Sequence, residues 1–164
     1  MSAGSADHPP VVSRDLGLLA PVFRAAVEQA IAGCQARGID AYVYEAYRSA
    51  ELQALYYARG RTVVPPTKPV TYAATNLQSW HGYGLAVDVI SRGHGWDEPE
   101  SWFADVAETF REFGCRWGGE WTQKDLPHFQ WGGCKPSPSA AAREFLMAGG
   151  LPAVWTEVGA TTTV

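Results

Sequence analysis

Residues Ser79 to Ile90 read SWHGYGLAVDVI, and the second half of that stretch is a short apolar run interrupted by a carboxylate. From Leu85 the order Leu, Ala, Val, Asp, Val, Ile is that of a covered strand. Alternation places Leu85, Val87 and Val89 on one face and Ala86, Asp88 and Ile90 on the other. A carboxylate withdrawn from water without a partner costs several kcal/mol, so Asp88 must be exposed, hydrogen-bonded or bound to a cation. His81 precedes it by seven residues, and Gly82 and Gly84 between them permit a tight turn and a close backbone approach. Both side chains can therefore meet at one point.

Working outward, AYVYEAYR (41–48) is β-branched and aromatic enough for a strand that Arg48 ends. Before it, Phe23, Val27, Ala30, Ile31 and Cys34 recur at helical spacing, with Gly38 as the stop. After it, Ser49 caps a helix carrying Leu52, Leu55 and Tyr56, closed by Gly60. VVPPTKP (63–69) has three prolines and is a surface loop, and SRGHGWDEPE (91–100) is loop by composition. Phe103, Val106, Phe110 and Phe113 space a third helix ending at Gly114. Short strands around CRWGGEW and PHFQW follow, then a last helix over SPSAAAREFLMAGG (137–150). Helices and strands are interspersed without a βαβ repeat. The fold class expected is α+β, a single compact domain with a small, mostly antiparallel sheet flanked by helices. Its expected limits are a flexible lead at 1–12, the domain at 13–150 and a tail at 151–164.

The chain has 164 residues, 46% hydrophobic and 18% charged, which suits one globular domain with a genuine core. A net charge of -4 without a basic run excludes the electrostatic footprint of a nucleic-acid binder. The N-terminal residues carry neither a Sec-type signal nor a membrane-spanning stretch, so synthesis in the cytoplasm and no membrane insertion are expected. Cys34, Cys115 and Cys134 lack metal-site spacing and read as small buried thiols. A Cys115–Cys134 disulfide requires a location outside the reducing cytosol.

In KDLPHFQW (124–131) alternation puts His128 and Gln130 on one strand face, with Asp125 three residues upstream of His128. His81, Asp88 and His128 together are two imidazoles and one carboxylate, a set that leaves a tetrahedral zinc with an open position for water. Asp125 remains as a free carboxylate for general-base work, and Arg48 as a partner for a substrate carboxylate or an oxyanion. Singly, each of these reads more blandly: His81 as a turn or core histidine, Asp125 as a solvated turn residue, Arg48 as a surface partner of Glu45 or Glu51. Iron(II) oxygenases also use two histidines and one carboxylate, but typically with an HxD pair rather than a gap of seven.

The segments YRSAELQALYYARGRT (47–62), SWHGYGLAVDV (79–89) and DLPHFQW (125–131) closely resemble the M15 peptidases, the zinc D-alanyl-D-alanine carboxypeptidase and L-alanyl-D-glutamate endopeptidase group of phage endolysins and bacterial cell-wall enzymes. The signature SxHxxGxAxD runs without a gap from Ser79 to Asp88. The second signature, an acid three residues before a histidine, is Asp125 with His128. The resemblance covers about residues 15–133 and implies the Hedgehog/DD-peptidase-like fold, zinc held by His81, Asp88 and His128, Asp125 as catalytic base, and Arg48 and Ser79 at the substrate. The GRT segment and the HFQW ending look more like the L-alanyl-D-glutamate endopeptidase branch. The substrate it implies is a peptidoglycan stem peptide, with a D,D-carboxypeptidase as the neighbouring alternative and an inactive cell-wall binding module as the non-enzymatic one. It implies a monomer that reaches the wall through a lysis pore or a secretion apparatus. Trp80, Tyr83 and Trp131 are the aromatic candidates for lining a groove.

Overall fold

The computed structural model of the protein describes residues 11–161. Helix α1 spans Pro21–Ala36 and buries Phe23, Val27, Ala30 and Cys34 of the stripe read from the sequence, with Ala26 added to it, while Ile31 of that stripe is half-buried. Gly38 ends it in the left-handed region (φ 76°), and Ile39 N–H donates back to the Cys34 carbonyl at 2.9 Å. Strand β1, Ala41–Glu45, follows. Helix α2, Ala50–Ala58, begins at Ser49, whose Oγ accepts from Leu52 N–H at 3.1 Å. Strand β2 is Ala86–Ser91, helix α3 is Glu100–Glu112, strand β3 is Cys115–Trp117, strand β4 is His128–Trp131 and helix α4 is Ala140–Glu157.

The four strands form one antiparallel sheet in the order β1-β2-β4-β3. Leu85, Val87 and Val89 join Phe129, the α1 stripe and Phe103, Val106 and Phe110 of α3 in the core. The rings of Phe110 and Phe129 lie 4.5 Å apart across it. Strand β2 is buried on both faces, and Asp88 points away from the helices into a cleft. The loop after α2 is largely exposed, as its prolines require. Arg61 ties it down, donating to the carbonyls of Tyr57 (2.7 Å) and Thr71 (3.0 Å).

Three readings of the sequence change. The first strand ends at Glu45 rather than Arg48: its register shifts between Val43 and Glu45, so that Val43 pairs with Val89 and Glu45 with Asp88, and beyond it Ala46 N–H donates to the Ser13 carbonyl (2.7 Å) and Arg48 N–H to the His81 carbonyl (3.0 Å). The chain from Leu151 is no tail. After a break at Gly150 (φ 72°, ψ -168°) helical structure resumes to Glu157, burying Val154, and Ala160 accepts from Val22 N–H at 3.2 Å. Gly149, Gly150 and Pro152 resemble a stop, yet Leu151, Val154, Trp155 and Val158 restore the helical period beyond it. Tyr83 and Trp131 do not line the cleft: Tyr83 is fully buried, and the Trp131 indole donates to the Val158 carbonyl at 2.7 Å.

The three cysteines are free and buried, as expected of small core thiols, and burial pushes Cys115 and Cys134 up to about 12. Among the described residues no helix is long and apolar enough to cross a membrane. Apart from residues 11 and 12, the lead at 1–12 lies outside the described residues.

Candidate metal centre

Ser79 opens the site. Its Oγ accepts from His81 N–H at 3.3 Å, capping a 3-10 turn over Trp80–Tyr83 that Gly84 closes at φ 69°. Glycine is required at 82 by a close approach: a Cβ there would stand 2.0 Å from the Asn76 carbonyl oxygen. The turn delivers His81 to the buried end of β2. Asp88 is the register partner of His128 in β4, and cross-strand partners share a face of the sheet. One ligating atom from each of His81, Asp88 and His128 lies within 4.8 Å of the others.

The free lone pairs of the two imidazoles are fixed by their outer partners. His81 Nδ1 is 2.9 Å from the Ala46 carbonyl oxygen, which can only accept, so Nδ1 carries the proton. Its Nε2 is thereby free, 3.3 Å from Asp88 Oδ1. His128 is held the other way round. Gln130 Nε2 donates to the Lys135 carbonyl at 2.9 Å, which turns Gln130 Oε1 toward His128 Nε2 at 2.7 Å. His128 Nε2 therefore donates, and Nδ1 faces the cluster at 3.9 Å from Asp88 Oδ1. Trp80 Nε1 donates to the same Lys135 carbonyl at 2.7 Å and steadies the relay. The sequence placed Gln130 on the face of His128 without assigning it a role; a polar residue two positions along a strand from a ligand was the available signal. Gln130→Leu is expected to weaken metal binding about 10–100-fold, measured by competition with a chelator, with the fold retained by circular dichroism.

Arg48 stands behind Asp88. Its Nε and Nη2 donate to Glu45 Oε1 at 3.2 and 2.6 Å, Nη1 donates to Gln53 Oε1 at 2.9 Å, and Nη2 is 3.5 Å from Asp88 Oδ2. The pairing with Glu45 is thus buried rather than superficial, and Glu51 is exposed. Burial would raise the Asp88 carboxyl, but the charge and hydrogen bond of His81, with the charges of Arg48 and His128, outweigh it and hold the group well below the usual carboxylate range. Burial, then the charge of His81, pulls His128 down to about 4, which keeps its imidazole neutral and its lone pair available at neutral pH.

Asp125 occupies the cleft side of the cluster, with Oδ2 at 3.9 Å from His128 Nδ1. Its backbone is pinned by Asp125 N–H to the Gly118 carbonyl (3.0 Å) and His128 N–H to the Asp125 carbonyl (3.2 Å). Crowding by the cleft walls, then the charge of Asp88, pushes its carboxyl up to about 7. The side chain is nonetheless 51% exposed, so water screens part of that effect, and a cation held by the cluster acts in the opposite sense. All six residues read from the sequence line one cleft of about 1370 Å³, together with Tyr56, Trp96 and Trp121. His94 is outside it, exposed and paired with Glu98 at 3.4 Å; His8 lies outside the described residues.

Two imidazole nitrogens and a carboxylate oxygen on a cleft floor, their lone pairs aimed inward and a further carboxylate beside them, are the donor set of a metallopeptidase. The chain belongs to the M15 family of peptidases. The family profile described as D-alanyl-D-alanine carboxypeptidase matches residues 73–131, the part holding all three candidate ligands and Asp125. The peptidoglycan L-alanyl-D-glutamate endopeptidase CwlK of Bacillus subtilis (strain 168) is 32% identical over 124 residues, 68% of this chain and 72% of its own. The LD-carboxypeptidase LdcB shares the fold at a TM-score of 0.53 and 17% identity, over 85% of this chain and 69% of that one. The L-Ala D-Glu endopeptidase ChiX of Serratia marcescens is 28% identical over 80% of this chain and 88% of its own, with a TM-score of 0.43.

Proposed function

We propose that the protein is a zinc peptidase that hydrolyses the L-alanyl-D-glutamate bond of peptidoglycan stem peptides. The observation that carries this reading is the convergence of His81 Nε2, Asp88 and His128 Nδ1, with the Asp125 carboxylate beside them and no competing protein partner closer than 3.9 Å among the described ion pairs. The 32% identity to an endopeptidase of that specificity supports the choice of bond. Two imidazole nitrogens and an ionised carboxylate suit zinc, which when bound polarises a peptide carbonyl and acidifies water.

The chain's own residues do the rest. Asp125 Oδ2 takes a proton from the attacking water and returns it to the leaving nitrogen. Arg48 holds Asp88 in place. Of its five N–H groups Glu45 accepts two and Gln53 one, and with one toward Asp88 a single N–H is left for the substrate. Ser79 keeps His81 at its post through the turn cap. The site is complete within one chain, which fits a monomer, and with the cell wall as substrate the protein leaves the cytoplasm through a lysis pore or a secretion apparatus.

Digestion of purified sacculi by the zinc-loaded protein, followed by mass spectrometry, tests the reading. Fragments beginning with D-glutamate, absent when EDTA is present, are expected. Release of free D-alanine in their place would instead support the D,D-carboxypeptidase that the matching family description names.

A further inference from the structure

The segment 48–61 carries three arginines, of which Arg48 and Arg59 line the cleft, and two of the three are engaged by the protein itself. Arg48 has four of its five N–H groups engaged by Glu45, Gln53 and Asp88, and Arg61 donates to two loop carbonyls with its guanidinium 3.7 Å from the Tyr57 ring. Arg59 differs. It lines the cleft half-buried and, among the described residues, its side chain makes neither an ion pair nor a hydrogen bond. Its Cζ lies 5.3 Å from the centroid of Tyr56, the ring over which Arg48 also sits, at 4.7 Å. Arg59 is thus connected to Asp88 only through Tyr56 and Arg48, and its charge, unpaired among the described residues, stands in the same cleft as the candidate ligands. The other cleft cations lack this combination: Lys124 is paired with Glu100 at 3.0 Å, and Arg143 projects from α4 without such a link.

We propose that Arg59 is the carboxylate-binding residue of the cleft and selects peptides that carry a free carboxylate next to the scissile bond. The inference rests on the function proposed above, in which a D-glutamate joined through its side chain keeps its α-carboxyl free. A guanidinium already stacked on an aromatic ring loses little freedom when it forms the two parallel hydrogen bonds that a carboxylate accepts. Amidation of that carboxyl removes both the charge and one acceptor.

Two synthetic stem peptides identical except for carboxylate or carboxamide at this position supply the test, with kcat/KM measured for zinc-loaded wild type, Arg59→Ala, Arg59→Lys and Arg143→Ala. Wild type is expected to favour the carboxylate by about tenfold to a hundredfold, the range of one charged hydrogen-bonded contact. Arg59→Ala should bring the carboxylate peptide down to the rate of the carboxamide, Arg59→Lys should restore part of the ratio, and Arg143→Ala should keep it. Thermal melting of both Arg59 variants reports folding separately. An undiminished ratio in Arg59→Ala, or its loss in Arg143→Ala, overturns the assignment. Equal cleavage of both peptides by wild type overturns it while leaving the proposed function standing, whereas cleavage of neither removes the function and the assignment together.

Discussion

Asp125→Ala is expected to retain its metal and lose about a hundredfold to ten-thousandfold in turnover, the worth of a positioned general base. The expectation follows from where the residue sits. Its Oδ2 is 3.9 Å from His128 Nδ1, but its side chain is half exposed, and it is not part of the close donor cluster formed by His81, Asp88 and His128. The turn that carries it is held by backbone bonds between Gly118, Asp125 and His128 and by the Trp117 indole donating to the Leu126 carbonyl at 2.7 Å, so shortening the side chain leaves His128 in place. Activity on a stem peptide and zinc content are measured on the same preparation. Loss of zinc in parallel with activity would move Asp125 from base to ligand.

Asp88→Ala should do the reverse and release the metal. Asp88 is the one anionic donor among the three candidate ligands, and its carboxyl is kept ionised by His81, Arg48 and His128 against the cost of burial. Its removal leaves two imidazoles without an anionic partner in the cluster, with rings 5.2 Å apart, and the Arg48 charge directed at them. The loss of zinc affinity should exceed the about 10–100-fold expected for an outer partner such as Gln130. Thermal melting supplies a second readout, because a ligand bound only by the folded state raises stability with its concentration. Zinc should raise the melting temperature of wild type and of Asp125→Ala but not of Asp88→Ala; an equal rise in all three would remove Asp88 from the site.

Much of this centre was legible because its signals are local. Gly82 and Gly84 mark the turn, alternation in 85–90 sets Asp88 against the apolar face, and the His128/Gln130 alternation does the same in β4. The helix limits at Gly38, Ser49 and Gly114 are likewise written in single residues whose conformational preferences are strong. What escaped depends on pieces of chain that meet only after folding. The shift of register beyond Val43 that aligns Glu45 with Asp88 has no mark in AYVYE, and Arg48 therefore read as a substrate-binding cation, or more blandly as a surface partner of Glu45 or Glu51, and not as the buried support of a ligand. The Lys135 carbonyl that orients Gln130 lies in a loop with no pattern of its own. The helical continuation past Gly150 was hidden by glycine and proline, yet Trp155 Nε1 donates to the Tyr83 carbonyl at 2.7 Å and so braces the turn that presents His81.

X-ray absorption at the zinc edge of the loaded wild-type protein tests the heart of the account. One zinc per chain with a first shell of nitrogen and oxygen alone, at about 2.0–2.2 Å and with the scattering pattern of two imidazoles, is the predicted spectrum. Sulfur at about 2.3 Å, or a wild-type chain that holds no stoichiometric zinc, would contradict it.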